Sequence, residues 1–222
     1  MKLARDFYAQ PTVQAAQRLL GKYLVRVHPD GITTGMILET EAYVGLEDRA
    51  SHALRGQTPR TTVMFGPAGF AYVYVIYGMH HCLNVVTEPE VYPAAILIRA
   101  VQPCTGLELM RDRRRKQDTR LLASGPGRLC QAFGIDRGLN GIDLCGSVLF
   151  VEGGGVSPAD IIATSRIGVD YAGPWKDMPW RFYIAGHPGV SKRSPPHLVF
   201  PLKCVRVFSS ATQDAEWMAA IY

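Results

Sequence analysis

Tyr72–Val86, YVYVIYGMHHCLNVV, is the stretch that decides the fold. Tyr, Val and Ile fill its first half, Leu, Asn and Val its second, and Gly78 lies between. Aromatic and β-branched residues on both sides of a glycine read as two antiparallel strands joined by a tight turn. A two-residue turn at Gly78–Met79 puts glycine at the first central position, as type II′ prefers. Tyr77 and His80 then flank the tip, and in that register Tyr74 faces away from Tyr77 and Asn84. The tip is unusual, because turns normally carry Asn, Asp or Ser, and this one has Tyr77, Met79, His80 and His81. One reading makes Tyr72, Tyr74 and Ile76 core, with Tyr77 flat on a neighbouring loop. An exposed apolar tip also suits a protein contact, and a bulky tip side chain can wedge between stacked bases from the minor groove.

The chain around this hairpin has few helices. PTVQAAQRLLG (11–21) carries Val13, Ala16, Leu19 and Leu20 at helical spacing after a proline, and Gly21 suits its end. KYLVRV (22–27) and GMILETEAYVG (35–45) read as strands, and AAILIRAV (94–101) is apolar enough to be central. Residues 47–69 are long, polar and rich in Gly and Pro, which reads as a loop, and loops of that length are often functional. GLELMRDRRRKQ (106–117) is helical and ends in a basic run; SGPGRLCQAFGI (124–135) begins with turn residues and continues as a short helix. From Asp143 onward the chain is strand-rich. This order predicts α+β architecture: a single domain, a mostly antiparallel β-sheet flanked by helices, and a protruding hairpin. The domain spans 1–222, with about 192–222 as a C-terminal extension in which HLVFPLKCVRVF reads as an extra strand and DAEWMAAIY as a short helix.

The 222 residues are 47% apolar and 19% charged, an ordinary globular composition. Lys plus Arg number 24 against 19 Asp plus Glu, a formal charge of +5, which is compatible with a polyanionic partner without requiring one. Five cysteines, Cys82, Cys104, Cys130, Cys145 and Cys204, are widely spaced with no C-x-x-C, so they read as free thiols in a reducing compartment. The start lacks an apolar leader and no run approaches 18 apolar residues, so an intracellular protein is expected. No P-loop, dinucleotide-binding glycine fingerprint, G-x-S-x-G or zinc-deaminase signature occurs.

Three places carry candidate chemistry. On a strand, Glu39, Glu41 and Tyr43 share a face about 6.6 Å apart, which is either a solvated face or a pair of carboxylates able to activate water beside a stacked ring. Arg99, following Ile-Leu-Ile on a central strand, is expensive to bury unpaired and needs a carboxylate or an anionic ligand; Glu39 and Glu41 are the candidates. In the loop, His52 could be a base, a ligand or a stacking surface, while Thr58, Arg55 and Arg60 could hold phosphates or simply be wet. The basic run Arg111–Lys116 could track a phosphate backbone and locates no site.

Seven segments together are more specific than any one of them. ETEAYVGLEDRASH (39–52), QTPRTTVMFGPAG (57–69), the hairpin, ILIRAVQP (96–103), SGPGRLCQAFGI, SRIGVDYAGPW (165–175) and RFYIAGHPGVS (181–191) resemble, in order and spacing, the alkyladenine (3-methyladenine) DNA glycosylase family. The resemblance runs from about Ala4 to Ser191. It implies that Glu41 is the general base, that Arg99 and the backbone carbonyl of Ile167 help to hold the attacking water, and that Tyr43, His52 and Tyr74 sandwich an extruded base. It implies that Tyr77 fills the gap left in the duplex with Met79 beside it, and that Asn84 discourages normal guanine. Thr58 and Arg60 are then DNA contacts. His80 and His81 depart from the aromatic or apolar residues common in the family.

The resemblance implies a monofunctional hydrolase of N-glycosidic bonds acting on alkylated or otherwise damaged purines, in base excision repair. Its partner is double-stranded DNA and no metal or cofactor is implied. A monomer is expected. Two rival readings remain: a module that binds damaged nucleic acid without cutting it, and a metal-dependent hydrolase built on Glu39, Glu41 and His52.

Overall fold

The computed structural model describes residues 1–154, 160–194 and 199–200. Strands are β1 (Tyr23–His28), β2 (Gly31–Val44), β3 (Ala71–Ile76), β4 (His80–Val86), β5 (Ala94–Thr105), β6 (Leu149–Glu152), β7 (Ile161–Thr164), β8 (Arg181–Ile184) and the two-residue β9 (Val199–Phe200). Helices are α1 (Arg5–Tyr8), α2 (Thr12–Leu19), α3 (Leu107–Arg114) and α4 (Pro126–Phe133). One sheet runs β3-β4-β5-β2-β8-β7-β9, with β1 bridging β2 and β6. Its strand pairs are antiparallel. The predicted α+β single domain is what forms.

The longest strands, β2 and β5, lie side by side, and Ala94–Val101 is buried throughout. β-branched residues, which stiffen an extended chain, and the apolar run that follows Pro93 explain the central placement. Helix α2 lays Val13, Ala16 and Leu19 on the sheet, and the hydroxyl of Thr40 ties the two by donating to the Ala16 carbonyl at 2.9 Å. Helix α4 buries Leu129, Cys130, Ala132 and Phe133. It ends at Gly134, whose φ of 60° is the left-handed conformation a helix stop needs. These side chains and those of β2 and β5 form one continuous core.

Two expectations about local structure are corrected. The loop at 47–69 is not irregular throughout, because His52–Arg55 and Thr62–Phe65 wind into 3-10 turns. The hairpin turn is also not a two-residue II′ turn at Gly78–Met79. Ile76 pairs with His80, leaving Tyr77, Gly78 and Met79 at the tip. The positive φ angles fall on Tyr77 (53°) and Gly78 (71°), and the Met79 N–H donates to the Ile76 carbonyl at 3.3 Å. This moves the register by one residue: Tyr72 sits opposite Asn84 and Tyr74 opposite Cys82. Since a strand's faces alternate, a one-residue shift exchanges them, so Tyr74 and Asn84 share a face instead of opposing one another. The four described cysteines, Cys82, Cys104, Cys130 and Cys145, are free thiols. Of the extra strand expected at 197–208, Val199–Phe200 is described and pairs with β7; the rest of it, and the helix expected at 214–222, lie outside the described residues.

Candidate active site

The site is assembled where β2, β5, the hairpin, the loop at 47–69 and residues 165–175 converge. The β2–β5 register is irregular at this point. Pairing passes from Ile37↔Val101 to Glu39↔Ala100 and then to Thr40↔Ile98, so Leu38 and Arg99 are skipped. Bulges re-aim side chains beside functional sites, and here Arg99 comes to bear on both glutamates. Its Nη1 donates to Glu41 Oε2 at 3.1 Å and its Nε to Glu39 Oε1 at 3.1 Å.

Glu41 is wholly buried, as is Glu39, so the solvated-face reading is wrong. A buried charge needs a partner and hydrogen bonds, and Glu41 has both. Beyond Arg99, the Tyr43 hydroxyl donates to Oε2 at 2.9 Å and the Ile167 N–H to Oε1 at 2.8 Å. The Ile167 contact made here is therefore through its amide N–H. Burial opposes the charge on Arg99, but Glu41 and then Glu39 raise its pKa above the usual arginine value, so the guanidinium stays protonated. Burial first, and the Glu41 charge second, push the Tyr43 hydroxyl well above the usual tyrosine value, keeping it a neutral donor.

A cavity of about 260 Å³ opens above this pair. That is just under the ~300–1,000 Å³ usual for small-ligand pockets. Tyr43, Arg99 and Ile167, the three residues bonded to the Glu41 carboxylate, line it, and so do His52, Tyr74 and Asn84. Of the predicted pocket residues, then, all but Glu41 itself reach the cavity wall; Glu41 stands directly behind them. Asn84 donates from Nδ2 to the Tyr72 carbonyl at 3.1 Å, which fixes its amide against the wall.

His52 and Tyr74 meet edge to face, with centroids 4.5 Å apart, and His52 Nδ1 lies 3.0 Å from the Tyr72 hydroxyl. Burial, and then the Arg60 charge, lower the His52 pKa to about 4. The ring is thus a neutral aromatic surface at neutral pH. The unfolded chain takes up this proton near its ordinary value of about 6.5 and the folded protein only near 4, so stability is lost as pH falls through that window. His52→Phe should remove the loss. Relative to the parent, its unfolding free energy should rise by up to about 3 kcal/mol between pH 7 and 4, measured by urea denaturation at a series of pH values. A difference that stays flat with pH would contradict the assignment.

Tyr77 lines the mouth of the same cavity and is 85% exposed; Met79 is 71% exposed. Arg60 is exposed, with its guanidinium 5.2 Å from the Tyr74 ring. Of the predicted DNA contacts only Tyr77 lines this cavity; Met79 and Arg60 do not, and neither does Thr58, whose hydroxyl is engaged locally with Thr61 at 2.9 Å. The donors of the metal-hydrolase reading are already occupied, since Glu39 and Glu41 face arginines and His52 faces Tyr72. Among the described residues no group of three His, Cys, Asp or Glu could hold a metal ion.

Sequence reasoning missed Arg166 and Asp48. Arg166 lies under Tyr43, 4.8 Å from its ring, with Trp180 on another side at 5.1 Å. Both its terminal nitrogens grip Asp48, at 2.5 and 2.8 Å, and it donates to the carbonyls of Ala42 (2.9 Å) and Trp175 (3.1 Å). With its hydroxyl on Glu41 and a cation under its ring, Tyr43 is held as one wall of the cavity. The one signal in the sequence was a charged residue, Arg166, directly before the small and apolar run IGV, and its partner is 118 residues away.

The site of this α+β domain is thus a buried carboxylate–guanidinium pair beneath an aromatic-walled slot, with an exposed aromatic at its mouth. Comparison with known proteins adds the family. Residues 6–188 match the family model described as methylpurine-DNA glycosylase. The chain belongs to the methylpurine-DNA glycosylase family. It is 54% identical over 197 residues to a protein of Methanocella arvoryzae, covering 87% of this chain and 97% of that one. A protein of Alkaliphilus oremlandii is 45% identical over 202 residues (87% and 100%), and one of Myxococcus xanthus 48% over 195 (87% and 95%). All three relatives carry the name "Putative 3-methyladenine DNA glycosylase".

Proposed function

We propose that this protein is a monofunctional DNA glycosylase that rotates a damaged purine nucleotide out of duplex DNA and hydrolyses its N-glycosidic bond, inside the cell, as the first step of base excision repair. One observation carries the reading: Tyr77 stands at the mouth of the same cavity that Arg99, Tyr43 and Ile167 floor over Glu41. A stacked base is out of reach of any side chain, so it must leave the duplex, at a cost of a few kcal/mol. Stacking on an aromatic wall returns about 1–3 kcal/mol per base. Tyr43, His52 and Tyr74, which line the cavity, supply that wall. Alkylated purines that carry positive charge gain further from electron-rich rings.

Bond cleavage develops positive charge on the sugar, as at any glycosidic centre. In this reading Glu41 stabilises that charge and takes a proton from a water admitted to the cavity floor once the Tyr43 hydroxyl yields its place. Arg99 holds the carboxylate and helps to hold the water. Asn84, on the wall, meets the edge of a bound purine in this reading. No lysine is among the cavity-lining residues described, which favours water over an amine as the nucleophile.

The test is to incubate the protein with methylated duplex in the presence of a chelator. Free 3-methyladenine should appear while the strand stays unnicked; no released base under single-turnover conditions would sink the reading. The plug has its own test. Tyr77 is a bulky residue in a left-handed conformation, which costs about 1–3 kcal/mol, a strain that makes sense if the ring serves a contact outside the protein. Replacing it by serine should weaken binding to damaged duplex by about 10–100-fold, while binding to undamaged duplex at the same salt changes far less. Equal loss on both would make Tyr77 a plain DNA contact.

A further inference from the structure

We infer that Glu39 is the positioning residue of the Glu41–Arg99 pair, and that the segment 191–194 holds it in place from outside the core. The inference rests on the proposed function, and it concerns residues that neither touch the cavity nor need to touch DNA. Glu39 and Glu41 are both fully buried, but Glu41 bonds three residues that line the cavity and Glu39 bonds only one, Arg99, so Glu39 stands a layer further from a bound base. It accepts four hydrogen bonds. Oε1 takes Arg99 Nε at 3.1 Å, Arg181 Nε at 2.7 Å and the Ser191 hydroxyl at 2.9 Å, and Oε2 takes the Ser191 N–H at 2.7 Å.

The guanidinium of Arg99 is a rigid planar fork. With Nε on Glu39 and Nη1 on Glu41, its orientation is set at both ends. If Glu39 gives way, the fork is free to turn and the Glu41 carboxylate loses a fixed partner. The electrostatics agree. Glu39 and Glu41 face Arg99 and Arg181, two charges against two, all of them buried. Without Glu39 the one remaining carboxylate, Glu41, pairs with Arg99, and Arg181 loses its ion-pair partner.

Arg181 is in turn fixed by the chain just beyond the family-matched region, which ends at residue 188. It donates from Nη1 to the Ser194 hydroxyl at 3.0 Å and from Nη2 to the Lys192 carbonyl. Ser194 also accepts from Thr164 on β7 at 2.9 Å. Ser191, the Lys192 carbonyl and the Ser194 hydroxyl therefore act as a strap that closes on Glu39 and Arg181 behind the active site. A purely structural ion-pair cluster linking β2, β5 and β8 is the alternative, and the two differ in what a variant changes.

The experiment uses the full chain with Glu39→Gln, Ser191→Ala and Ser191→Thr. Single-turnover base release from methylated duplex gives a rate constant and an amplitude, and binding to an abasic-site duplex and thermal melting are measured alongside. A positioning role predicts a rate constant about 10²-fold lower for Glu39→Gln, the scale of a misplaced reacting group. Ser191→Ala, which loses one hydrogen bond to a carboxylate, should fall about fivefold, and Ser191→Thr, which keeps both donors, should stay within about twofold of the parent. Abasic-duplex affinity should barely move. A scaffold role predicts lower amplitude and melting temperature with an unaltered rate constant, and that result overturns the inference. Should Glu39→Gln fail to fold, an unaltered rate constant in Ser191→Ala overturns it equally. If the parent chain releases no base, the proposed function falls with it; if only the variants match an active parent, this inference alone falls.

Discussion

Glu41→Gln lowers single-turnover release of a methylated purine by about 10²–10⁴-fold, the range for losing a positioned base, and leaves binding to damaged or abasic duplex close to the parent value. Glutamine has the same shape, so its carbonyl oxygen can still accept the Ile167 N–H or the Arg99 guanidinium. What it lacks is the negative charge. It cannot take the water's proton, and it cannot balance positive charge growing on the sugar. Arg99 keeps Glu39 as a partner, so the variant should stay folded. Base release at near-parental rate would remove Glu41 from the chemistry, whatever the binding results.

The second large effect is on stability and begins away from the cavity. Arg166→Met leaves Asp48 fully buried with no cation, because both of its oxygens are bonded to Arg166. Breaking a buried pair in this way costs about 3–5 kcal/mol. For a chain of this size that lowers the melting temperature by about 6–20 °C. The surviving partners of Asp48 are the N–H groups of Val44 and Ala50, at 3.2 and 3.0 Å. Adding Asp48→Asn removes the stranded charge, so the double variant should recover part of the loss, and chemical denaturation of the single and double variants measures the coupling. The double variant should still excise more slowly than the parent, because Tyr43 no longer rests on a cation. No recovery in the double variant would mean that Arg166 acts through packing between the Tyr43 and Trp180 rings rather than through charge.

These residues differ in how far the sequence revealed them. Arg99 was legible from elementary physics: a guanidinium after Ile-Leu-Ile on a central strand has to be paired, and Glu39 and Glu41 are the pair. The sheet was legible because its strands are rich in β-branched and aromatic residues. The burial of Glu39 and Glu41 was not legible, because strand alternation says which residues share a face and not whether another layer covers it. Here residues 165–175 and 191–194 do so, far along the chain. The hairpin register was misread because Tyr77 adopts a left-handed conformation that nothing in local propensity favours for tyrosine. That single dihedral decides whether Tyr74 and Asn84 share the cavity. The bulge at Leu38 and Arg99, and the pairing of Asp48 with Arg166, depend on the β2–β5 register and on a contact across 118 residues, which composition and spacing do not encode.

The most direct test of the account is a crystal structure of the Glu41→Gln variant bound to a duplex that carries one methylated or ethenylated purine. The account predicts the purine outside the helix, between Tyr43 and the His52–Tyr74 pair, its C1′ facing residue 41, and the Tyr77 ring in the vacated position. A lesion still stacked in the duplex with Tyr77 outside the groove, or DNA bound on a face away from this cavity, would contradict it.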